Sequence, residues 1–164
     1  MYDLCLFDLD GTLSDPKVGI TKGHQFALAA FGIHEELENL TKCIGPPLRE
    51  NFSKLFGLSE SDTEKAVAEY RKYYGTIGLF ENTVYPEIPE LLETLKACGK
   101  ILAVATNKVI EYSARSLKHF GLEKYFAFVS GDKMDGSLTK NGKQEIIRIA
   151  LEKLEMLLSI ACIK

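Results

Sequence analysis

The most informative part of the sequence is Tyr2-Asp3-Leu4-Cys5-Leu6-Phe7-Asp8-Leu9-Asp10-Gly11-Thr12-Leu13. Its first half, residues 2–7, is a short apolar run that ends abruptly at polar residues, which favours a buried strand over a helix. Asp8 and Asp10 follow at once, and Gly11 lets the chain turn with a backbone conformation that other residues resist. Both carboxylates are therefore expected at a site just beyond the end of the strand.

The rest of the chain repeats this strand pattern and alternates it with helices. Two further apolar runs end at polar residues: 101–105 before Thr106-Asn107, and 126–129 before Ser130-Gly131-Asp132. Apolar residues recur at helical spacing over 88–95, over 109–120 and from Lys143 onward. This alternation predicts an α/β fold, a parallel Rossmann-like sheet with helices on both faces. Ligands of such sheets bind beyond the carboxyl ends of the strands, where these polar residues lie.

Residues 15–86 lack this alternation. Their apolar spacing predicts helices at about 19–31, 48–56 and 60–75, with a turn at Gly45-Pro46-Pro47. We therefore expect two domains, an α/β core of residues 1–14 and 87–164 and an inserted all-helical cap of residues 15–86. A segment inserted just after a catalytic loop can act as a lid over it.

Composition excludes several classes of function. The formal net charge is −3 and no basic stripe is present, which argues against a nucleic-acid partner. No apolar run approaches the roughly 18 residues that a membrane span needs, so no membrane association is expected. No signal peptide is apparent, and the four cysteines are widely spaced, without metal-type spacing. A cytoplasmic location is therefore predicted.

Several of these segments resemble one known family. Asp8-Leu9-Asp10-Gly11-Thr12 resembles the first motif of the haloacid dehalogenase superfamily, and the helical insertion resembles its first-position cap. The stretch Ile44-Gly45-Pro46-Pro47-Leu48-Arg49 is similar to the substrate-specificity loop of phosphoglycolate phosphatase-like members. The resemblance continues through Ala105-Thr106-Asn107-Lys108 to about Lys153, so it covers most of the chain.

The resemblance implies a covalent mechanism. Asp8 would attack phosphorus and become an aspartyl phosphate, which water then hydrolyses. Asp10 would protonate the leaving alkoxide and later deprotonate the water, a role that general acids and bases fill at a gain of roughly 10²–10⁴ in rate. Dehalogenating members lack this second aspartate, so Asp10 favours phosphoryl transfer. Gly11 and Thr12, which complete the motif, are expected to bind the phosphate.

Further site residues follow from the same resemblance. Thr106 matches the second motif, in which a hydroxyl holds a phosphoryl oxygen, and Asn107 is its expected neighbour at the phosphate. The third motif is a lysine that neutralises the phosphoryl group. Lys133, Lys140 and Lys143 compete for this role, and Lys143, at the start of the last helix, matches best.

One candidate residue lies in the predicted cap. Arg49 is a candidate contact for a substrate carboxylate, through the bidentate pair that a guanidinium forms with a carboxylate. The alternative is a solvated arginine at the start of a helix.

The resemblance also implies a Mg²⁺ cofactor, held by the carboxylate of Asp8 and the backbone carbonyl of Asp10. Gly131-Asp132-Lys133-Met134-Asp135 imitates the family's fourth, metal-binding motif, but it precedes Lys143, so we interpret it as a loop. No aspartate follows Asp135, and the family's last strand has no counterpart after the helix that begins near Lys143. The chain thus resembles a C-terminally truncated member, and we expect weak Mg²⁺ binding and self-association through an uncovered sheet edge.

The function that the resemblance implies is a Mg²⁺-dependent phosphomonoesterase of a small phosphorylated metabolite, with 2-phosphoglycolate as the implied substrate. Two alternatives stay open. A phosphomutase of the same superfamily would share Asp8 and Asp10. A non-catalytic remnant would only bind phosphate or a partner protein.

Overall fold

The computed structural model describes residues 3–139 and 142–161, with side chains described as far as residue 157. The chain divides into two compact units. The first, here called the core unit, is formed by Met1–Ser14 and Val84–Lys164, and the second, the cap unit, is Asp15–Thr83. The second boundary thus lies three residues before the predicted one at 86/87.

The strands of the chain, in order, are β1 (Leu4–Phe7), β2 (Ser14–Asp15), β3 (Thr83–Val84), β4 (Ile101–Val109) and β5 (Phe128–Asp132). The core sheet is parallel and has the order β1-β4-β5, and β2 and β3 form a separate two-stranded sheet. Phe7, the last residue of β1, pairs with Val104, so β1 lies alongside the first four residues of β4. The predicted parallel α/β sheet is confirmed.

The helices of the core unit are α4 (Ile88–Ala97), α5 (Ile110–His119) and α6 (Gln144–Ala161). Those of the cap unit are α1 (Lys17–Ala29), α2 (Leu48–Glu50) and α3 (Glu60–Tyr73). α2 continues as a π-helical turn over Asn51–Leu55 and α3 as another over Tyr74–Gly78. A 3₁₀ helix over Leu37–Cys43, which the sequence analysis did not predict, lies between α1 and α2. A further short 3₁₀ helix spans Glu123–Tyr125.

Successive residues of a strand point to opposite sides, so the core sheet has apolar side chains on both faces. Helices pack against each of these faces. Leu102 and Val104 of β4 belong to the larger apolar cluster, in which Leu92 of α4 and Leu117 of α5 are also buried. Ala105 belongs to a smaller cluster with two buried residues of α6, Ile146 and Ala150. The predicted two-sided arrangement is confirmed.

Glycines end α4 and α5 as the sequence predicts. The N–H of Gly99 donates to the Lys96 carbonyl at 2.9 Å, and that of Lys100 donates to the Leu95 carbonyl at 3.0 Å. Gly99 has φ +72°, which glycine adopts without strain. This pair of bonds is the Schellman motif, and it recurs at Gly121, where α5 ends. Both helices therefore stop where the chain must return to the sheet.

The strand limits were predicted less well. β4 was expected to end at Ala105 but continues to Val109, with a bulge between these two residues. Past the bulge, Val109 pairs with Asp132, so β5 also runs further than its predicted end at Val129. A Cβ at Gly131 would lie 2.7 Å from the Lys108 carbonyl oxygen, so glycine permits the close approach of the two strands.

A buried histidine organises the cap unit. His24 of α1 is 1% exposed and lies between the rings of Phe52 and Tyr70, at centroid distances of 5.2 and 4.9 Å. Gly19 on the same helix lies against Gly78, whose carbonyl oxygen would be only 1.9 Å from a Cβ at position 19.

Within the part of the chain that the structure describes, no helix has both the length and the apolar character of a membrane span.

Candidate active site

The site begins at a tight turn that follows β1. The carbonyl of Leu9 accepts the N–H groups of Thr12, Leu13 and Ser14 at 3.3, 2.9 and 3.2 Å. Gly11 has φ +78°, and its N–H donates to the Ser14 carbonyl at 2.7 Å. Leu9 and Leu13 are buried and anchor the turn, whereas Gly11 and Thr12 are exposed on it. The turn thus fixes the backbone on which both aspartates lie.

Asp8 is held on both of its carboxylate oxygens. Oδ1 accepts the main-chain N–H of Leu9 at 2.8 Å, and Oδ2 accepts the ammonium of Lys143. Lys143 directly precedes α6, and its carbonyl accepts the N–H of Ile147 at 3.0 Å, as a residue at a helix start does. The side chains of Asp8 and Lys143 are 37% and 27% exposed, so this pair remains open to solvent.

Asp10 pairs with a lysine that the sequence analysis missed. Oδ1 of Asp10 accepts the ammonium of Lys108 at 2.9 Å. The Lys108 side chain is only 5% exposed and that of Asp10 22%, so this second pair is the more buried one. The family resemblance indicates a lysine after the third apolar run, whereas Lys108 lies two residues beyond Thr106 on β4.

Thr106 and Asn107 lie at the same edge of the sheet as Asp8. Because Phe7 pairs with Val104, Asp8 and Thr106 lie one and two residues beyond this pair, Asp8 just after β1 and Thr106 within β4. Thr106 is buried, and its hydroxyl oxygen accepts the N–H of Lys108 at 3.3 Å. Asn107 is exposed. Their contacts with a phosphate stay a prediction.

Arg49 lies in the cap unit, where it contacts an acidic neighbour. Its Nε and Nη2 donate to the two carboxylate oxygens of Glu64 at 2.6 and 3.0 Å. The hydrogen bonds from this guanidinium lower the pKa of Glu64. A substrate carboxylate would have to compete with Glu64, so the contact between Arg49 and a substrate stays a prediction.

The interpretation of residues 131–135 as a loop was wrong for the first two, because Gly131 and Asp132 end β5. Asp132 is buried and accepts the N–H groups of Lys133 and Leu138 at 2.8 and 3.0 Å, as well as the hydroxyl of Thr139. Its carboxylate therefore shapes the connection from β5 towards Lys143. Lys133 is exposed, and Lys140 lies outside the described residues.

The donors at this edge fit Mg²⁺ in type. Mg²⁺ is usually bound through one or two carboxylates, with water and substrate phosphate oxygens filling the other positions. Asp8 has a carboxylate at this turn, and Asp10 would add its backbone carbonyl, since its carboxylate pairs with Lys108. The described residues contain no cluster of three or more His, Cys, Asp or Glu side chains that could hold a metal. The site therefore offers Mg²⁺ few protein ligands, and water and substrate oxygens would fill the other positions.

Comparisons with known proteins agree with this geometry. The sequence profile of the haloacid dehalogenase-like hydrolases matches residues 5–162. A 5'-nucleotidase of Pseudomonas aeruginosa is 43% identical over 152 residues, which span 92% of this chain and 68% of that protein. A phosphoglycolate phosphatase of Aquifex aeolicus is 38% identical over 127 residues, which span 77% of this chain and 59% of that protein.

A solved structure shares the fold as well. Protein tyrosine kinase A of Mycobacterium tuberculosis superposes with a TM-score of 0.80 at 36% identity, over 93% of this chain and 69% of that one. Each relative is thus longer than the part that this chain matches. The resemblance stated from the Asp8–Thr12 motif is confirmed, and the chain belongs to the haloacid dehalogenase-like hydrolase family.

Proposed function

We propose that this chain is a phosphomonoesterase in which Asp8 is the nucleophile. The observation that carries the proposal is the pairing of each aspartate of one rigid turn with a lysine, Asp8 with Lys143 and Asp10 with Lys108. Two carboxylates for covalent and proton-transfer chemistry, and an ammonium group beside the nucleophile to offset the charge of a phosphate dianion, suit phosphoryl transfer. The phosphatase names among the relatives support the same reaction class.

In the first step, a carboxylate oxygen of Asp8 attacks phosphorus and the bond from phosphorus to the ester oxygen breaks. Each Asp8 oxygen accepts one hydrogen bond, Oδ1 from the N–H of Leu9 and Oδ2 from the Lys143 ammonium. Oδ2, which lies beside the ammonium that would meet the phosphate, is proposed to attack. Asp10, in its protonated form, gives its proton to the departing oxygen. In the second step, water attacks phosphorus, the bond from phosphorus to the Asp8 oxygen breaks, and inorganic phosphate leaves. Asp10 takes a proton from this water, so Asp8 ends as the carboxylate and Asp10 as the acid.

Lys143 stays beside Asp8 and offsets the charge of the incoming phosphoryl oxygens. Thr106 and Asn107, on the part of β4 that extends beyond its pairing with β1, are proposed to hold these oxygens. Mg²⁺, held by the Asp8 carboxylate and the backbone carbonyl of Asp10, would supply further positive charge to the phosphoryl group. Each of these roles acts on charge that develops at the same phosphorus centre.

The substrate is proposed to be a small phosphorylated metabolite, with 2-phosphoglycolate as the first to test. The Aquifex aeolicus relative named a phosphoglycolate phosphatase supports this choice. The relative named a 5'-nucleotidase makes nucleoside monophosphates the second group to test. A panel that also contains bisphosphorylated sugars separates a phosphatase from a phosphomutase. A cytoplasmic location stays a prediction from the sequence.

The test is release of p-nitrophenolate from p-nitrophenyl phosphate by the purified chain with added Mg²⁺. Asp8→Asn keeps the shape of the side chain but removes its nucleophilicity, so we expect turnover to fall to background. Asp3→Asn is the matched control, because Asp3 lies just before the other end of β1 and is exposed. No release by the unaltered chain would leave only phosphate or partner binding, and equal turnover by Asp8→Asn would exclude the aspartyl phosphate.

We further propose that the chain self-associates through the sheet edge. Among the described strands, β1 lies at one edge of the core sheet, and an edge strand presents unpaired backbone groups. α6 exposes apolar side chains in the same unit: Leu151, Met156 and Leu157. Sedimentation velocity should show a mass that rises with protein concentration, and a single monomeric species at every concentration would contradict the proposal.

A further inference from the structure

The more buried of the two lysine–aspartate pairs has a role of its own. We propose that Lys108 is a positioning residue that holds the Asp10 carboxylate in place for proton transfer to the leaving group. The inference rests on the proposed phosphatase function. It concerns a lysine on β4, which is separate in the sequence from Lys143 and contacts the other aspartate.

The backbone around Lys108 is fixed from two sides. Its N–H donates to the hydroxyl oxygen of Thr106 at 3.3 Å. Its carbonyl lies where β5 passes closely, since a Cβ at Gly131 would be 2.7 Å from the carbonyl oxygen. The bulge of β4 between Ala105 and Val109 therefore has a defined shape, and it delivers the lysine side chain to the turn after β1.

The ammonium then fixes one oxygen of Asp10. Oδ1 accepts from Lys108 at 2.9 Å, and the lysine is only 5% exposed, so water competes little for this contact. Oδ2 becomes the oxygen that gives the proton to the leaving group and takes one from the attacking water. The pair of Asp8 and Lys143 is more exposed and serves the phosphorus centre instead.

The two lysines can be separated by the leaving group. Phenolate needs a proton to depart much more than p-nitrophenolate does, because the nitro group stabilises the negative charge on oxygen. The two esters otherwise have nearly the same shape. A residue that acts through Asp10 should therefore matter for phenyl phosphate and matter little for p-nitrophenyl phosphate. A residue that only maintains the fold should affect both alike.

The measurement is kcat/KM, which reports the steps up to departure of the first product. We expect Lys108→Met to lower kcat/KM for phenyl phosphate about ten- to a hundredfold more than for p-nitrophenyl phosphate, a part of what general acid catalysis contributes. Lys108→Arg should restore much of the loss, because it keeps the charge. Lys143→Met should lower both values to a similar extent. Lys100→Met, which removes a lysine that pairs with Asp3 near the other end of β1, should change neither.

A double variant guards against a folding defect, because Lys108→Met leaves the Asp10 carboxylate without its partner. The double variant Asp10→Asn/Lys108→Met removes both charges of the pair, so its kcat/KM for phenyl phosphate should be no lower than that of Asp10→Asn alone if Lys108 acts only through Asp10. Equal losses on both esters, or a further loss in the double variant, would overturn the assignment. An unaltered chain that hydrolyses neither ester would instead overturn the proposed function.

Discussion

Mild acid should destabilise the cap unit through one buried side chain, His24. Its ring is neutral in the folded protein, with Nδ1–H donating to the Ile20 carbonyl at 2.8 Å and Nε2 accepting from the Asn51 amide at 3.3 Å. The same amide nitrogen donates to the Cys43 carbonyl at 2.8 Å. Asn51 therefore cannot turn its oxygen towards a protonated ring without breaking that bond.

The size of the effect follows from the pKa of His24. Burial lowers this pKa from 6.5 to about 4, although the bond to Ile20 acts in the opposite direction. Because the folded state has the lower pKa, the contribution to stability is complete above pH 6.5 and is lost as the pH falls through 6.5 towards 4. Between about pH 7.5 and about pH 5, linkage gives a loss of about 2 kcal/mol in the free energy of unfolding.

Two measurements check this expectation. NMR titration of the histidine ring protons should show one ring with a strongly lowered pKa. Urea unfolding at both pH values, with amide exchange of α1 and α3 as the readout for the cap unit, should show the loss of stability. His24→Gln should remove most of the pH dependence, whereas His34→Gln and His119→Gln, which alter exposed rings, should leave it unchanged. Equal pH dependence in His24→Gln would refute the reasoning.

Three other changes test the fold and the site. Gly19→Ala should destabilise by about 1–3 kcal/mol in urea unfolding, although alanine favours helices, because its Cβ would overlap the Gly78 carbonyl; an unchanged midpoint would contradict the packing. Asp132→Asn should lower the free energy of unfolding in urea by about 1.5–3 kcal/mol, since hydrogen bonds to a charged group are lost. It should also lower turnover, because the connection to Lys143 loosens. Asp135→Asn, at an exposed site, is the control. Calorimetry should find weak Mg²⁺ binding, because the turn supplies one carboxylate and one backbone carbonyl, and tight binding would mean a further ligand.

The parts of the fold that depend on local patterns could be predicted from the sequence. Short apolar runs predicted the parallel sheet, and Gly99 and Gly121 predicted where α4 and α5 end. The end of β4 could not be found in this way, because residues 106–108 are polar and leave the apolar core while the strand continues. Apolar spacing indicates what faces a core, not where backbone pairing stops.

The site residues that the sequence analysis did not predict have a different explanation. Lys108 pairs with Asp10, which is far away in the sequence. Asp132 binds Thr139 in the connection after β5, which has no regular pattern. Nothing in local spacing distinguishes a lysine that pairs with Asp10 from one that faces solvent. The π-helical turns after α2 and α3 are likewise set by packing within the cap unit, since no residue type marks them.

The two lysine–aspartate pairs also differ in how dissolved salt affects them. Asp8 and Lys143 are about a third exposed, and ions screen exposed charges over about 8 Å at physiological ionic strength. Lys108 and Asp10 are largely shielded from those ions. Added salt should therefore weaken the capture of a phosphate dianion while the proton-transferring carboxylate stays in place. Ionic strength then separates the arrival of the substrate from its reaction: KM rises with salt, and kcat does not.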